Sequence, residues 1–168
     1  MYSEPILNEK KIMFVCHGNI CRSPMAEFIL KKMTEERDVS HLFEIASSAT
    51  STEEIRNGNG NPVYPPACAE LKKHGIDCNG KHAVQLTRMD YAHYDLLIAI
   101  DTRNVRNMHR IFGGDPERKI FLLMDYTDRP GDVADPWYSD RFDITYRDIF
   151  EGCNGLLEHL LNTEGELL

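Results

Sequence analysis

Cys16 is followed six residues later by Arg22 and then by Ser23, in the run Cys16-His17-Gly18-Asn19-Ile20-Cys21-Arg22-Ser23. Together these residue types suit one kind of chemistry. A thiolate is a strong nucleophile, and a thiol at a helix N-terminus or beside a cation is biased toward that form. A guanidinium fork matches two oxygens of a phosphate, and a serine hydroxyl can donate to the sulfur. A phosphate ester held by the loop N–H groups and Arg22 would sit over Cys16. Attack there gives a phosphocysteine that water then hydrolyses, and the scheme requires no metal or other cofactor. A fourth group completes it. Asp135, in Asp135-Pro136-Trp137-Tyr138, could protonate a departing aryl oxygen and afterwards activate the water, with Asp128 and Asp132 as rivals in the same acidic stretch. Trp137 and Tyr138 could sandwich a substrate ring or simply pack on the core.

These residues need elements to hold them. Residues 11–15 form a short apolar run of strand type that breaks into the loop, where Gly18 and Asn19 suit a tight turn. Ser23-Pro24 reads as an N-cap and first helical residue, and Met25, Phe28, Ile29 and Met33 follow at helical spacing. A loop between a strand and a helix start can aim its N–H groups at an anion. Further on, residues 43–48 read as a strand, 50–66 as a long polar loop and 67–74 as a helix capped by Gly75. Residues 96–100 read as a buried strand, 104–112 as a helix, 120–123 as a strand, and the chain from Ser139 as a long amphipathic helix. Strands alternating with helices predict parallel pairing. The expected fold is a small doubly wound α/β sheet of about four parallel strands flanked by helices, in one domain spanning 1–168. In such sheets ligands bind beyond the strand ends, and the loop after the first strand is a prime position.

The segment VCHGNICRSPMAE, taken with DPWY at 135–138, resembles the low-molecular-weight protein tyrosine phosphatases, from about Lys11 to the final helix. The resemblance implies Cys16 as nucleophile, Arg22 as phosphoryl holder and Asp135 as general acid. It also implies that His17, Gly18, Ile20 and Cys21 complete the phosphate-binding loop, and that Asn19, Ser23 and Ser47 support it, Ser23 as partner of the thiolate. Phosphotyrosine-containing proteins are the implied substrates. The chain departs from the family pattern in the segment GKHAVQLT. Lys81 stands where a supporting histidine is usual, with His82 one residue later, and Val84 stands where arginine is common. That places the Asn19–Ser47 support in question.

Three alternatives share the loop. Phosphoarginine phosphatases resemble the chain throughout but carry threonine where Ile20 stands. Thioredoxin-linked arsenate reductases need two further cysteines, for which Cys68 and Cys78 come too early and are more plainly read as buried. A phosphocysteine carrier would need no Asp135. Packing and a role in resolving oxidised Cys16 are equally open for Cys21.

Composition narrows the setting. The net charge of -8 is concentrated at the end, where Tyr126 to Leu168 holds 10 acids against 3 bases, so no basic footprint for nucleic acid is present. No apolar run approaches a membrane span, and MYSEPILNEKK lacks the pattern of a signal peptide. A cytoplasmic, monomeric enzyme is expected. Five cysteines, an odd number, then predict reduced thiols rather than a disulfide framework.

Overall fold

The computed structural model describes residues 9–166. Most of the polar N-terminal segment, for which no signal peptide is expected, and the last two residues lie outside them. The described elements are, in order, β1 (Lys10–Cys16), α1 (Arg22–Glu36), β2 (Phe43–Ala49), β3 (Ile55–Arg56), β4 (Asn59–Gly60), α2 (Pro65–Lys73) and α3 (Met89–His93). They continue with β5 (Leu96–Ala99), α4 (Thr102–Phe112), β6 (Ile120–Leu122), α5 (Pro136–Ser139) and α6 (Phe142–Glu166).

Among the described residues, β2, β1, β5 and β6 form in that order a wholly parallel four-stranded sheet. Alternation along β1 divides the core. Ile12, Phe14 and Cys16 face the side that includes Met25, Ile29 and Leu30 of α1 and Ile149, Cys153 and Leu156 of α6. Met13 and Val15 face the other, with Leu97, Ala99 and Met108 of α4. Both faces are covered, as parallel sheets require. The α6 helix crosses very close to the turn after β6, because a Cβ on Gly155 would lie 2.0 Å from the Tyr126 carbonyl oxygen. The order reverses at β1. The chain moves to β2 on one side and later to β5 on the other, which opens a crevice at the carboxyl end of β1, where residues 17–21 sit.

Several expected boundaries shift. The stretch 50–66 is not all loop. Asn57 (φ 51°) and Gly58 (φ 78°) turn a small antiparallel hairpin of β3 and β4, the positive-φ pair that a two-residue hairpin turn favours. Its strands are too short to show any alternation in sequence. The first helix begins at Arg22 rather than after a Ser23 cap, and the α1 N-cap position, Cys21, carries no side-chain cap. Ser23 is inside the helix, and its hydroxyl is used elsewhere. The expectation of five reduced thiols is also corrected: Cys68 and Cys78 form a disulfide with Cα atoms 5.8 Å apart, while Cys16, Cys21 and Cys153 are free. The turn at Gly75 (φ 76°) folds Cys78 back beside α2, which spacing alone does not reveal.

Candidate active site

Cys16 ends β1 and is buried. Three donors converge on its sulfur: the Ser23 hydroxyl at 2.9 Å, the Asn19 N–H at 3.3 Å and the Ser23 N–H at 3.4 Å. They are suited to solvating the negative charge of a thiolate. The loop can wrap the sulfur because Asn19, and not Gly18, takes the left-handed conformation (φ 59°), which asparagine tolerates better than most residues. The N–H groups of Gly18, Ile20 and Cys21 have no acceptor among the described residues. The Ile20 carbonyl is anchored by the Tyr64 N–H at 2.8 Å.

Behind the loop the polarity of the hydrogen bonds can be traced from one end. A carboxylate only accepts, so Ser47 donates its proton to Glu27 Oε1 (2.6 Å) and its oxygen accepts from Asn19 Nδ2 (3.0 Å). The same amide nitrogen donates to Ser23 Oγ (2.7 Å), which frees the Ser23 proton for Cys16. The Asn19 amide is held in that orientation by the Val84 N–H, which donates to Oδ1 at 3.0 Å. Glu27 is flanked by Lys31 at 2.6 Å and Lys81 at 3.5 Å, and Lys81 also donates to the Ser47 carbonyl at 2.9 Å. Lys81 braces Ser47 and Glu27, Val84 needs only its backbone, and His82 points away to the Gly60 carbonyl. Burial pulls the Lys81 pKa below the ordinary lysine value despite its pairing with Glu27.

Arg22 is also buried. Its Nη1 donates to Asp101 Oδ2 at 2.7 Å and to the Val133 carbonyl at 3.0 Å, and its Nη2 lies 3.6 Å from Asp135 Oδ2. With Nη1 occupied, the Nε–Nη2 edge remains for two oxygens of an anion. Burial by itself would loosen the guanidinium proton. Cys16, the hydrogen-bonded Asp101 and Asp135 outweigh it and raise the pKa. Asp101 was missed by sequence reasoning. It follows β5 and caps α4 through a reciprocal pair with Asn104, so Asp-x-x-Asn could have been read as a capping signal, though nothing local says that its second oxygen binds Arg22.

Among the rival acids, Asp132 is used by Thr102, whose N–H and hydroxyl donate to it at 2.8 and 3.1 Å. Asp135 caps α5, accepting from the Trp137 N–H at 3.0 Å, and its other oxygen faces Arg22. That cap also positions Trp137, which is 59% exposed and lies 5.1 Å from the Tyr64 ring, with Tyr138 82% exposed beside it. Tyr64 is a second residue that sequence reasoning missed, since it lay in a presumed loop. His17 sits at the rim with Glu53 at 3.0 Å. Cys21 is buried under the loop, where burial, then Cys16 and Asp135, push its thiol up to about 12.

A thiol ringed by donors, a buried arginine with a free edge and a half-exposed carboxyl at the mouth of a parallel-sheet crevice define a cysteine-based phosphoryl-transfer site. Residues 11–166 match the family model for low molecular weight phosphotyrosine protein phosphatases, and the chain belongs to that family. The rat low molecular weight phosphotyrosine protein phosphatase is 35% identical over 158 residues, covering 90% of this chain and 96% of the rat protein. A solved structure of a low molecular weight protein tyrosine phosphatase from Streptococcus pyogenes superposes with a TM-score of 0.79 at 38% identity, covering 90% of this chain and 93% of that one. The crystal structure of YfkJ from Bacillus subtilis gives 0.87 at 29% identity, covering 93% and 97%.

Proposed function

We propose that this chain, acting as one domain, hydrolyses phosphotyrosine in proteins and small aryl phosphates through a phosphocysteine. The phosphate occupies the loop, held by its inward N–H groups and the free edge of Arg22. Cys16 Sγ attacks phosphorus, the P–O bond to the aryl group breaks, and Asp135 gives its proton to the leaving oxygen. The Asp135 carboxylate then takes a proton from water, whose oxygen displaces Cys16 and releases phosphate. Asp101 and Val133 fix the guanidinium, and Ser23 stabilises the departing thiolate. Trp137, Tyr138 and Tyr64 flank the ring of the substrate. The observation that supports this reading most strongly is the placement of Asp135, whose one carboxyl oxygen is tied into a cap while the other faces Arg22 at 3.6 Å.

The test is Asp135→Asn across a series of aryl phosphates, with phosphoarginine included. We expect kcat to fall by about 10²-fold or more for leaving groups of high pKa, and much less for nitrophenolate, which departs without a proton. A uniform loss would assign Asp135 to structure alone, and faster turnover of phosphoarginine than of phosphotyrosine would change the substrate.

The enzyme is further proposed to be cytoplasmic and redox-sensitive, Cys21 condensing with a Cys16 sulfenic acid. The raised pKa of Cys21 sets the pH dependence. The thiolate attacks, so below about 12 its fraction and the rate of disulfide formation rise about tenfold per pH unit. Stopped-flow oxidation with peroxide between pH 7 and 9 measures this, and a pH-independent rate would remove Cys21 from the role.

A further inference from the structure

The Cys68–Cys78 disulfide lies apart from the loop chemistry. Cys68 is at the end of the first turn of α2, and Cys78 comes after the Gly75 turn that ends it. Both are half-buried at a cleft of about 480 Å³ that is also lined by Lys72, Ile76 and Asp77. The two cysteines are therefore only partly covered, and the cleft beside them carries charge of both signs, Lys72 and Asp77. The three other cysteines are poor internal reductants: Cys21 and Cys153 are buried, burial pushes both thiols well up, and Cys16 is committed to its donors.

The segment just beyond Cys78 gives the bond its consequence. Residues 81–86 form a strap beneath the catalytic loop. Lys81 donates to the Ser47 carbonyl, Ala83 N–H to the Asn61 carbonyl at 2.9 Å and Val84 N–H to Asn19 Oδ1. The strap is then laced to β2, Ala49 N–H donating to the Val84 carbonyl at 2.7 Å and Leu86 N–H to the Ala49 carbonyl at 2.8 Å. Upstream of Lys81 the chain is exposed from Asp77 through Gly80 except at Cys78. The disulfide is the covalent anchor at that end of the strap, three residues from Lys81 and six from Val84.

We propose that Cys68–Cys78 is a second redox site, one that exchanges with a dithiol reductant and thereby sets how firmly the strap holds the phosphate-binding loop. The effect on phosphate rests on the proposed phosphatase function; the exchange itself does not. In the exchange, a thiolate of the reductant attacks one sulfur of the pair, the Cys68–Cys78 bond breaks, and its electrons leave on the other sulfur, which takes a proton. The second thiol of the reductant then closes on the first, releasing the remaining cysteine as a thiol. Two electrons and two protons have passed to the protein, and the reductant leaves as its disulfide.

The whole chain, purified without reductant, is the material for the test. Thiol titration under denaturing conditions should find three free cysteines before dithiothreitol and five after it. Reduction should weaken competitive inhibition by inorganic phosphate about three- to tenfold, within the range over which packed networks transmit coupling. It should also speed amide hydrogen exchange at Ala83 and Val84. A Cys68→Ala/Cys78→Ala variant should match the reduced protein and ignore dithiothreitol, which separates this effect from oxidation at Cys16. Five thiols at the outset would overturn the proposal. So would unchanged phosphate inhibition and unchanged exchange on reduction of the parent protein. If no aryl phosphate is hydrolysed at all, the phosphatase reading fails, while the thiol count and amide exchange still decide this one.

Discussion

The floor and the rim of the pocket are built on opposite plans. On the floor, Cys16, Asn19, Arg22, Ser23 and Ser47 are all at most 4% exposed, and each hydrogen-bonds another buried group. At the rim, Glu53, Trp137 and Tyr138 stand largely in solvent and His17 is half-buried, while Asp135 lies between the two zones with its side chain 32% exposed. The contrast matches what the proposed mechanism asks of each zone. Charge at phosphorus and sulfur is stabilised best by dipoles fixed beforehand. A leaving group has to enter and depart, and its proton donor must meet both solvent and substrate. Substitutions on the floor should therefore cost turnover, and those at the rim should mainly cost selectivity.

Arg22→Lys tests the floor where the expected loss is largest. An ammonium keeps the charge but cannot hold Asp101, the Val133 carbonyl and two phosphate oxygens from one planar group. Steady-state assay should show kcat/KM down by about 10²- to 10³-fold, the scale for losing one fixed donor to transition-state charge. A variant within threefold of the parent would mean that charge alone matters and that the Asp101 brace is incidental.

Glu27→Gln probes the floor two hydrogen bonds further back. The carboxylate forces Ser47 to donate, so the Ser47 oxygen is left to accept from Asn19 Nδ2, the same amide nitrogen that donates to Ser23 beside Cys16. An amide can donate as well as accept, so the direction is no longer imposed. We expect kcat/KM to fall about tenfold, close to 1.4 kcal/mol. Lys81, 13% exposed, also loses its counter-charge, while Lys31 at 44% can turn to water. Unfolding stability should fall by about 1–3 kcal/mol in a urea titration, less than for a fully buried pair. Lost stability with unchanged turnover would reduce the network to packing.

The same division explains what could be read in advance. The floor was legible because it is local: one strand, one loop and one helix start carry Cys16 to Ser23, and the apolar spacing around them is unambiguous. Its supports were harder. Ser47 and Lys81 meet only because β2 pairs with β1 and the strap runs under the loop, and Asp101 reaches Arg22 across 79 positions. Tyr64 was hidden in a stretch whose strands are two residues long. The Cys68–Cys78 bond was obscured by a prior: an odd cysteine count argues against a framework but does not forbid one pair brought together by a helix and a turn.

At the rim, Trp137→Ala should have the smallest effect and the most selective one. The indole is more than half exposed, is held at one edge by Tyr64 at 5.1 Å, and has its backbone fixed by the Asp135 cap. Removing the side chain leaves that cap intact, so proton donation should persist and kcat should stay within about twofold of the parent. The loss is confined to a ring contact with the substrate, worth roughly 0.5–1.5 kcal/mol for an aromatic pair, or about two- to twelvefold in KM. An alkyl phosphate has no ring to lose, so its already slow hydrolysis should be unchanged. Paired KM measurements on an aryl and an alkyl phosphate separate the outcomes. Equal losses on both would mean that Trp137 acts by holding the Asp135 turn in place, and the rim would then belong to the same rigid construction as the floor.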